Sequence, residues 1–221
     1  MLRDLDDVLH LHHTVRSLSP DTAGHGSPAT GRLLYRLDMD RADAILRVQT
    51  TGPLLLSALT NDYARAVAVE RVAWSEAGFE GQLVRFLLDA NATRAMRRAG
   101  RRSKRVGIRP AEATAWWEHH ASRSGLATIE VRSQPLEPVI ARREARNPTF
   151  LQTTRFEGLA VITDPSALQR AVLSGMGRGR AYGLGLLRLR QAGSDVLPPR
   201  TRPEHCTISA PDRAGSHGEG S

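Results

Sequence analysis

The chain has 221 residues, of which 40% are hydrophobic, so it can bury one sizeable core or two small ones. It contains no run of 18 apolar residues, and its acidic N-terminus is unlike a signal peptide. We therefore expect a cytoplasmic protein with no membrane partner. The single cysteine, Cys206, can form neither an intrachain disulfide nor a cysteine metal site. The net charge of +8 favours a polyanionic partner, although a lone lysine indicates that genome composition contributes some of the arginine.

The hydrophobic pattern of the first half predicts one helix followed by strands. Apolar positions share a broad face over residues 5–18, which is typical of an amphipathic helix. Further elements are predicted in chain order as strands over 32–37 and 44–50, a partly helical segment over 54–69 and a strand over 82–88. From Arg94 to Arg109 the chain then carries eight basic residues and no acidic one. A solvated surface usually mixes both signs, so this stretch favours contact with nucleic acid.

The second half shows a similar order of elements. We predict a helix over 110–123, a strand over 128–132, a hairpin tip over 142–148, strand material over 150–163 with a break at 157–158, a helix over 165–174 and a closing strand over 184–189. The helix from Pro165 is expected to be capped by Asp164. Residues beyond 190 are rich in Pro, Gly and Ser without an apolar period, which predicts a disordered tail.

This order of elements predicts an α+β fold of two tandem ferredoxin-like βαββαβ domains. The N-terminal domain is expected over residues 1–90, the C-terminal domain over 91–190 and the tail over 191–221. The first domain lacks its opening strand, because the first predicted helix begins almost at Met1. We expect either that translation starts upstream of Met1 or that the chain is a damaged copy.

A glycine-rich loop over residues 175–185 is the sharpest local feature, with five glycines in eleven residues. Such a loop exposes backbone N–H groups and permits positive φ angles, which suits a phosphate-binding nest. A dinucleotide loop joins a strand to a helix, whereas here a helix enters and a strand leaves, and a Walker lysine is absent. We therefore predict no nucleotide cofactor. We expect the RNA or DNA backbone to be contacted by Gly177, Arg178, Gly179 and Arg180. The alternative is a tight turn that only packs the helix on the strand.

Several segments together resemble one protein family. The C-terminal signature comprises Arg155-Phe156-Glu157-Gly158, a strand, Thr163-Asp164-Pro165, a helix and the glycine-rich loop ending Tyr182-Gly183-Leu184-Gly185. Further matches in the same order are Leu11-His12-His13-Thr14-Val15, Leu46-Arg47-Val48-Gln49-Thr50 and the segment around Asn91. In order and spacing these elements resemble the CasE family of CRISPR-associated endoribonucleases, over about residues 4–190.

The resemblance implies a metal-independent endoribonuclease that cleaves CRISPR precursor RNA within its repeat hairpins and needs no cofactor. It implies His12 as the catalytic residue, because imidazole moves protons near neutral pH. Members often carry a tyrosine three residues earlier, where this chain has Leu9. The implied RNA contacts include Lys104, Arg105 and an arginine tip formed by Arg142, Arg143 and Arg146. The implied partners are a CRISPR repeat RNA hairpin and the other subunits of the Cascade surveillance complex.

Four alternatives compete with this interpretation. His12 follows Val8 and Leu9 at helical spacing, so it could be a packed core histidine. His10 and His13 are spaced as two metal ligands can be, but no carboxylate or thiol completes the set, so we predict no metal site. In place of an enzyme, the chain could be a catalytically silent module that binds the RNA hairpin, or an unrelated ferredoxin-like DNA-binding or regulatory domain.

Overall fold

In the part of the chain that the structure describes, three α-helices are combined with antiparallel strands. The computed structural model describes residues 7–19, 33–40, 43–59, 69–70, 72, 78–98, 101–141 and 149–193. Its helices are α1 (Val8–Ser17), α2 (Ala113–Arg123) and α3 (Pro165–Ser174), and its strands are β1 (Leu34–Asp40), β2 (Asp43–Gln49), β3 (Leu83–Ala90), β4 (Thr93–Arg98), β5 (Arg101–Gly107), β6 (Leu126–Ala141), β7 (Thr149–Ile162) and β8 (Arg188–Gln191). The predicted α+β class is confirmed. Among the helices described, none has the length and apolar character to cross a membrane.

The N-terminal part packs helix α1 against a two-stranded hairpin. The Asp7 carboxylate accepts a hydrogen bond from the Leu9 N–H at 2.9 Å, which caps the helix at its first turn. Strands β1 and β2 pair antiparallel from Leu34↔Gln49 to Asp40↔Asp43. The hydrophobic core cluster of this part contains the buried residues Leu11 and Val15 of α1 and Tyr35 of β1. The predicted helix and both predicted strands are thus present.

The C-terminal part is a four-stranded sheet in the spatial order β6-β7-β3-β8, with antiparallel neighbours. Along the chain its elements run β3-α2-β6-β7-α3-β8, which is the βαββαβ arrangement of a ferredoxin-like unit. A hairpin of β4 and β5 is inserted between β3 and α2. The predicted domain boundary after residue 90 separates β3 from its sheet partners β7 and β8. The division into two domains stays a prediction.

The main core lies between this sheet and helix α2. Alternate residues of β3 are buried, so Val84, Phe86 and Leu88 face the helices. Phe86 stacks on Trp117 of α2 with ring centroids 4.0 Å apart. Burying one such large apolar side chain contributes about 1.5–3 kcal/mol. The Trp117 indole N–H is satisfied by the Thr128 hydroxyl at 2.9 Å, so the ring is buried without an orphaned donor.

The structure corrects two predictions and leaves others outside the described residues. The break predicted at Glu157-Gly158 is wrong: β7 continues through Gly158, where the β6 irregularity near Glu130 leaves no room for a Cβ. The predicted closing strand over 184–189 forms only at Arg188–Gln191, and its earlier leucines are buried in irregular backbone. The tip at 142–148, most of 54–69 and the tail beyond 193 lie outside the described residues.

Candidate active site

His12 lies on helix α1 at the edge of the N-terminal core. Its ring is 6.5 Å from the Tyr35 ring and 6.4 Å from the Tyr182 ring, measured between centroids. The side chain is half-buried, and its Nδ1 is buried without a hydrogen-bond partner. The neighbouring Leu11 carries the buried face of the helix instead. His12 is therefore not a fully packed core histidine.

The environment of His12 favours its neutral form. Burial lowers the pKa of His12, and electrostatic repulsion from Arg16 and His13 lowers it further. The unpartnered Nδ1 acts in the same direction, because protonation there would bury an N–H donor that has no acceptor. At neutral pH the free protein thus holds an uncharged imidazole at this position.

The glycine-rich loop follows helix α3 and contains a 3-10 turn over Arg180–Tyr182. All five of its glycines have positive φ angles, as predicted from the sequence. At Gly185 a Cβ would collide with the Met176 carbonyl, and the Gly185 N–H donates to the Asp89 carbonyl at 2.7 Å. The loop is therefore closely packed and is hydrogen-bonded to the end of strand β3.

The two arginines of the loop have different environments. Arg178 is exposed, and its backbone forms an isolated bridge with buried Asn91. Arg180 is exposed as well, but its Nη1 donates to the Ser174 carbonyl at the end of α3, at 2.7 Å. This bond closes the helix C-terminus. The hydrogen bond to Ser174 thus constrains the Arg180 side chain, and Arg178 is the less constrained of the two.

Helix α1 and the glycine-rich loop come from opposite ends of the chain and meet at Tyr35. The Tyr35 hydroxyl donates to the Ala181 carbonyl at 2.9 Å and lies 3.4 Å from the Val8 carbonyl. A Cβ on Gly183 would lie 3.1 Å from the Tyr35 ring. The structure thereby brings together His12 and the loop, as expected. The sequence interpretation assigned no functional role to Tyr35 or Tyr182, because no local sequence pattern indicates that either residue lies next to helix α1.

A partly buried ion-pair network underlies the site. Asp89 of β3 accepts two hydrogen bonds from Arg155, at 2.9 and 3.0 Å, and pairs with Arg36 at 3.0 Å. Arg36 is 3% exposed and also pairs with Asp38 at 2.6 Å. The hydrogen bond to Asp89 raises the pKa of Arg155. The network joins β1 to the four-stranded sheet, and sequence analysis missed it because charged residues in strands usually predict an exposed face.

The predicted basic residues outside the loop are distributed over two places. Lys104 and Arg105 lie exposed on strand β5. The arginine tip lies outside the described residues, but β6 and β7 pair as far as Ala141↔Thr149 on either side of it. The predicted long protein hairpin therefore exists, and the placement of its tip stays a prediction.

A cleft of about 870 Å³ adjoins the glycine-rich loop. It lies between helices α2 and α3, beside strands β4 and β5, and Gly175 and Gly177 line one part of it. Its basic side chains are Arg94, Arg105, His119, His120, Arg123 and Arg170. The acidic lining residue Glu112 is paired with Arg94 and Arg109, at 3.3 and 3.1 Å. The cleft is thus suited to an anionic ligand. Among its lining residues, the sequence interpretation had identified Arg105 and Gly177 as RNA contacts, and Arg94 as part of the basic stretch that favours nucleic acid.

The histidine pairs do not form a metal site in the part of the chain that the structure describes. No group of three His, Cys, Asp or Glu side chains there is placed to hold a metal ion. His12 and His13 have ring centroids 5.9 Å apart, and no carboxylate among the described residues completes the pair.

Three comparisons identify relatives of this chain. The family model described as CRISPR associated protein matches residues 2–191. The CRISPR-associated endoribonuclease Cse3 of Thermus thermophilus is 30% identical over 199 residues, which cover 84% of this chain and 90% of that protein. A structure of CRISPR endoribonuclease Cse3 bound to 19 nt RNA has a TM-score of 0.73 at 29% identity, covering 85% of this chain and 92% of the other.

A third relative is a chain of a CRISPR RNA-guided surveillance complex in a pre-nicking state. Its TM-score is 0.63 at 29% identity, and the match covers 84% of this chain and 91% of the other. The similarity thus extends over the helix of His12, the four-stranded sheet and the glycine-rich loop alike. The chain belongs to the CRISPR-associated protein family.

Proposed function

We propose that this protein is an endoribonuclease that cleaves CRISPR precursor RNA within its repeat hairpins and then stays bound as a subunit of the Cascade surveillance complex. The observation that carries the proposal is the position of His12. It lies on α1 within 6.5 Å of two tyrosine rings, beside a glycine-rich loop that carries two arginines. The relative that is 30% identical is named an endoribonuclease, and a similar structure holds RNA.

The proposed reaction uses the RNA itself as the nucleophile. The 2′-oxygen forms a bond to the adjacent phosphorus in line with the bond from phosphorus to the 5′-oxygen, which breaks. One proton leaves the 2′-hydroxyl and one is delivered to the departing 5′-oxygen, giving a cyclic phosphate and a 5′-hydroxyl. His12 transfers one of these protons. The neutral imidazole of the free protein supports a role as the base.

The glycine-rich loop is proposed to stabilise the charge that develops on the phosphate. Positive φ angles at its glycines orient successive N–H groups in a way that suits an anion. Arg178 is exposed beside this backbone and can donate to a phosphate oxygen. Arg180 contributes mainly by holding the loop on the end of helix α3. Such preorganised donors are worth about 10²–10³ in rate in other enzymes.

The RNA hairpin is proposed to lie along the basic surfaces next to this loop. A-form RNA presents its backbone and shape for recognition, which suits arginine side chains. The cleft between α2 and α3 would accept the backbone close to the scissile phosphate, with Lys104 and Arg105 farther along β5. The arginine tip would reach the stem from the end of the β6–β7 hairpin.

The test replaces His12 by alanine and measures cleavage of the cognate repeat RNA with protein in excess. We expect cleavage to be abolished and RNA affinity to stay within a few-fold, because phosphate contacts dominate binding. His10→Ala is the matched control, since His10 is an exposed histidine of the same helix. Cleavage should persist in excess EDTA and leave a 5′-hydroxyl.

Two results would contradict the proposal in different ways. Loss of cleavage on chelation, restored by a divalent ion, would refute the metal-independent mechanism. Tight binding of the repeat without cleavage by the unaltered protein would identify a silent RNA-binding module, which is the alternative function. Leu9 is the residue that makes this second outcome worth testing, since family members often have tyrosine there.

A further inference from the structure

The two halves of the candidate site are held together by one buried tyrosine. His12 belongs to helix α1, whereas the glycine-rich loop begins more than 160 residues later in the chain. Tyr35 is 1% exposed and lies between them, with its ring against Gly183 and 6.5 Å from the His12 ring. Any shift of this ring therefore changes the separation between the imidazole and the loop.

The hydroxyl of Tyr35 has a directed role in this contact. It lies 2.9 Å from the Ala181 carbonyl and 3.4 Å from the Val8 carbonyl. A hydroxyl has a single hydrogen to donate, so the shorter contact is the strong hydrogen bond and the longer one is weaker. One group thus touches the first turn of α1 and the turn that contains Arg180 and Tyr182.

Arg36, which follows Tyr35 in the sequence, anchors the opposite face of strand β1. Arg36 pairs with Asp89 at 3.0 Å, and the Asp89 carbonyl accepts the Gly185 N–H at 2.7 Å. Successive strand residues point to opposite faces, so Tyr35 and Arg36 anchor β1 on both sides. The Arg36–Asp89 pair therefore ties Tyr35 to the four-stranded sheet, in addition to the contacts of its hydroxyl with α1 and the loop.

We propose that Tyr35 is a positioning residue whose hydroxyl sets the separation between His12 and the glycine-rich loop that holds the scissile phosphate. This inference rests on the proposed function, because it assigns a purpose to the geometry of His12. The hydroxyl itself transfers no proton to the RNA, since it is buried and donates to Ala181. Its effect on the reaction is geometric, and a misplacement of about 1 Å can reduce a rate about a hundredfold.

Tyr35→Phe is the decisive variant, because it keeps the ring and removes only the hydroxyl. We expect the single-turnover cleavage rate to fall by about tenfold to a hundredfold, with the Kd for repeat RNA within about threefold. The pKa of His12, followed by NMR of its imidazole carbons, should rise toward its ordinary value. A loosened contact exposes the ring and weakens the burial that lowers the pKa.

The matched control is Thr128→Val, which removes a side-chain hydrogen bond of the same 2.9 Å length in the packing of α2 on β6. We expect its melting temperature to fall by an amount similar to that of Tyr35→Phe, with an unchanged cleavage rate. If both variants lose rate in proportion to melting temperature, the role of Tyr35 is structural only and the inference is wrong. A full cleavage rate in Tyr35→Phe would overturn it as well.

The His12→Ala variant distinguishes the catalytic role of His12 from the positioning role of Tyr35. If His12→Ala is inactive while Tyr35→Phe cleaves at the full rate, the proposed function stands and the positioning role fails. If His12→Ala still cleaves, the catalytic role of His12 and the positioning role of Tyr35 both fail, because there is no catalytic imidazole to position, while the protein remains an endoribonuclease. Selective loss of rate in Tyr35→Phe, with RNA binding retained, supports both.

Discussion

Removing the Asp89 carboxylate tests whether the partly buried ion-pair network holds the N-terminal strands on the sheet. The Asp89 side chain is 12% exposed and forms ion pairs with both Arg155 and Arg36. Asp89→Ala would leave the Arg155 guanidinium without its bidentate partner and Arg36 with Asp38 alone. The hydrogen bond from the Gly185 N–H to the Asp89 carbonyl would remain, so the variant does not directly remove the attachment of the glycine-rich loop to β3.

The structure sets the expected size of this effect. Breaking a buried pair by removing one partner costs about 3–5 kcal/mol. The Arg155 side chain is 31% exposed and Arg36 keeps Asp38, so we expect the lower end, about 3 kcal/mol. For a chain of this size that corresponds to a fall in melting temperature of roughly 6–12 °C. Asp89→Asn keeps the shape and an acceptor oxygen, so its cost should be smaller, about 1.5 kcal/mol.

The assay is urea unfolding followed by circular dichroism, with an exposed ion pair as the control. Glu130 and Arg132 pair at 3.2 Å with side chains that are 50% and 77% exposed. Glu130→Ala should therefore change the free energy of unfolding by less than about 1 kcal/mol. If Asp89→Ala costs no more than Glu130→Ala, the network does not hold the two parts of the protein together. A double-mutant cycle with Arg155→Ala should show positive coupling, since these residues share one contact.

Two other predictions concern RNA affinity and pH. Changing the three residues of the arginine tip to glutamine should weaken binding of repeat RNA and reduce its salt dependence by roughly one unit of slope for each arginine that neutralises a phosphate. The same change at Arg200 and Arg202 should do neither, and an equal loss of affinity on deleting residues 193–221 would contradict the assigned surface. The lowered pKa of His12 means that the unfolded chain binds a proton first as pH falls below about 6.5. The contribution of His12 to stability should therefore be full above that pH and decrease below it. In urea unfolding at pH 5, the free energy of unfolding of His12→Gln should decrease less than that of the unaltered protein. An equal decrease in both proteins would refute this assignment.

Local structure followed from the sequence because it depends on local physics. The apolar period over residues 5–18 predicted α1, and Asp164 does cap α3 by accepting the Ala167 N–H at 2.9 Å. The five glycines of the loop predicted the positive φ angles that are observed, since only glycine adopts them without strain. The resemblance carried by these same segments led to the family that the comparisons identify.

Tertiary structure decided what depends on contacts between distant residues. No periodicity indicates that β3 pairs with β7 and β8, so the boundary predicted after residue 90 separates a strand from its own sheet. Gly158 predicted a break because glycine weakens an isolated strand, whereas in the sheet it is the residue that fits under Glu130. The Arg36–Asp89 pair and the place of Tyr35 between His12 and the loop likewise arise only when both ends of the chain pack on one sheet. Burial gives these side chains their roles, and burial is a property of the assembled fold.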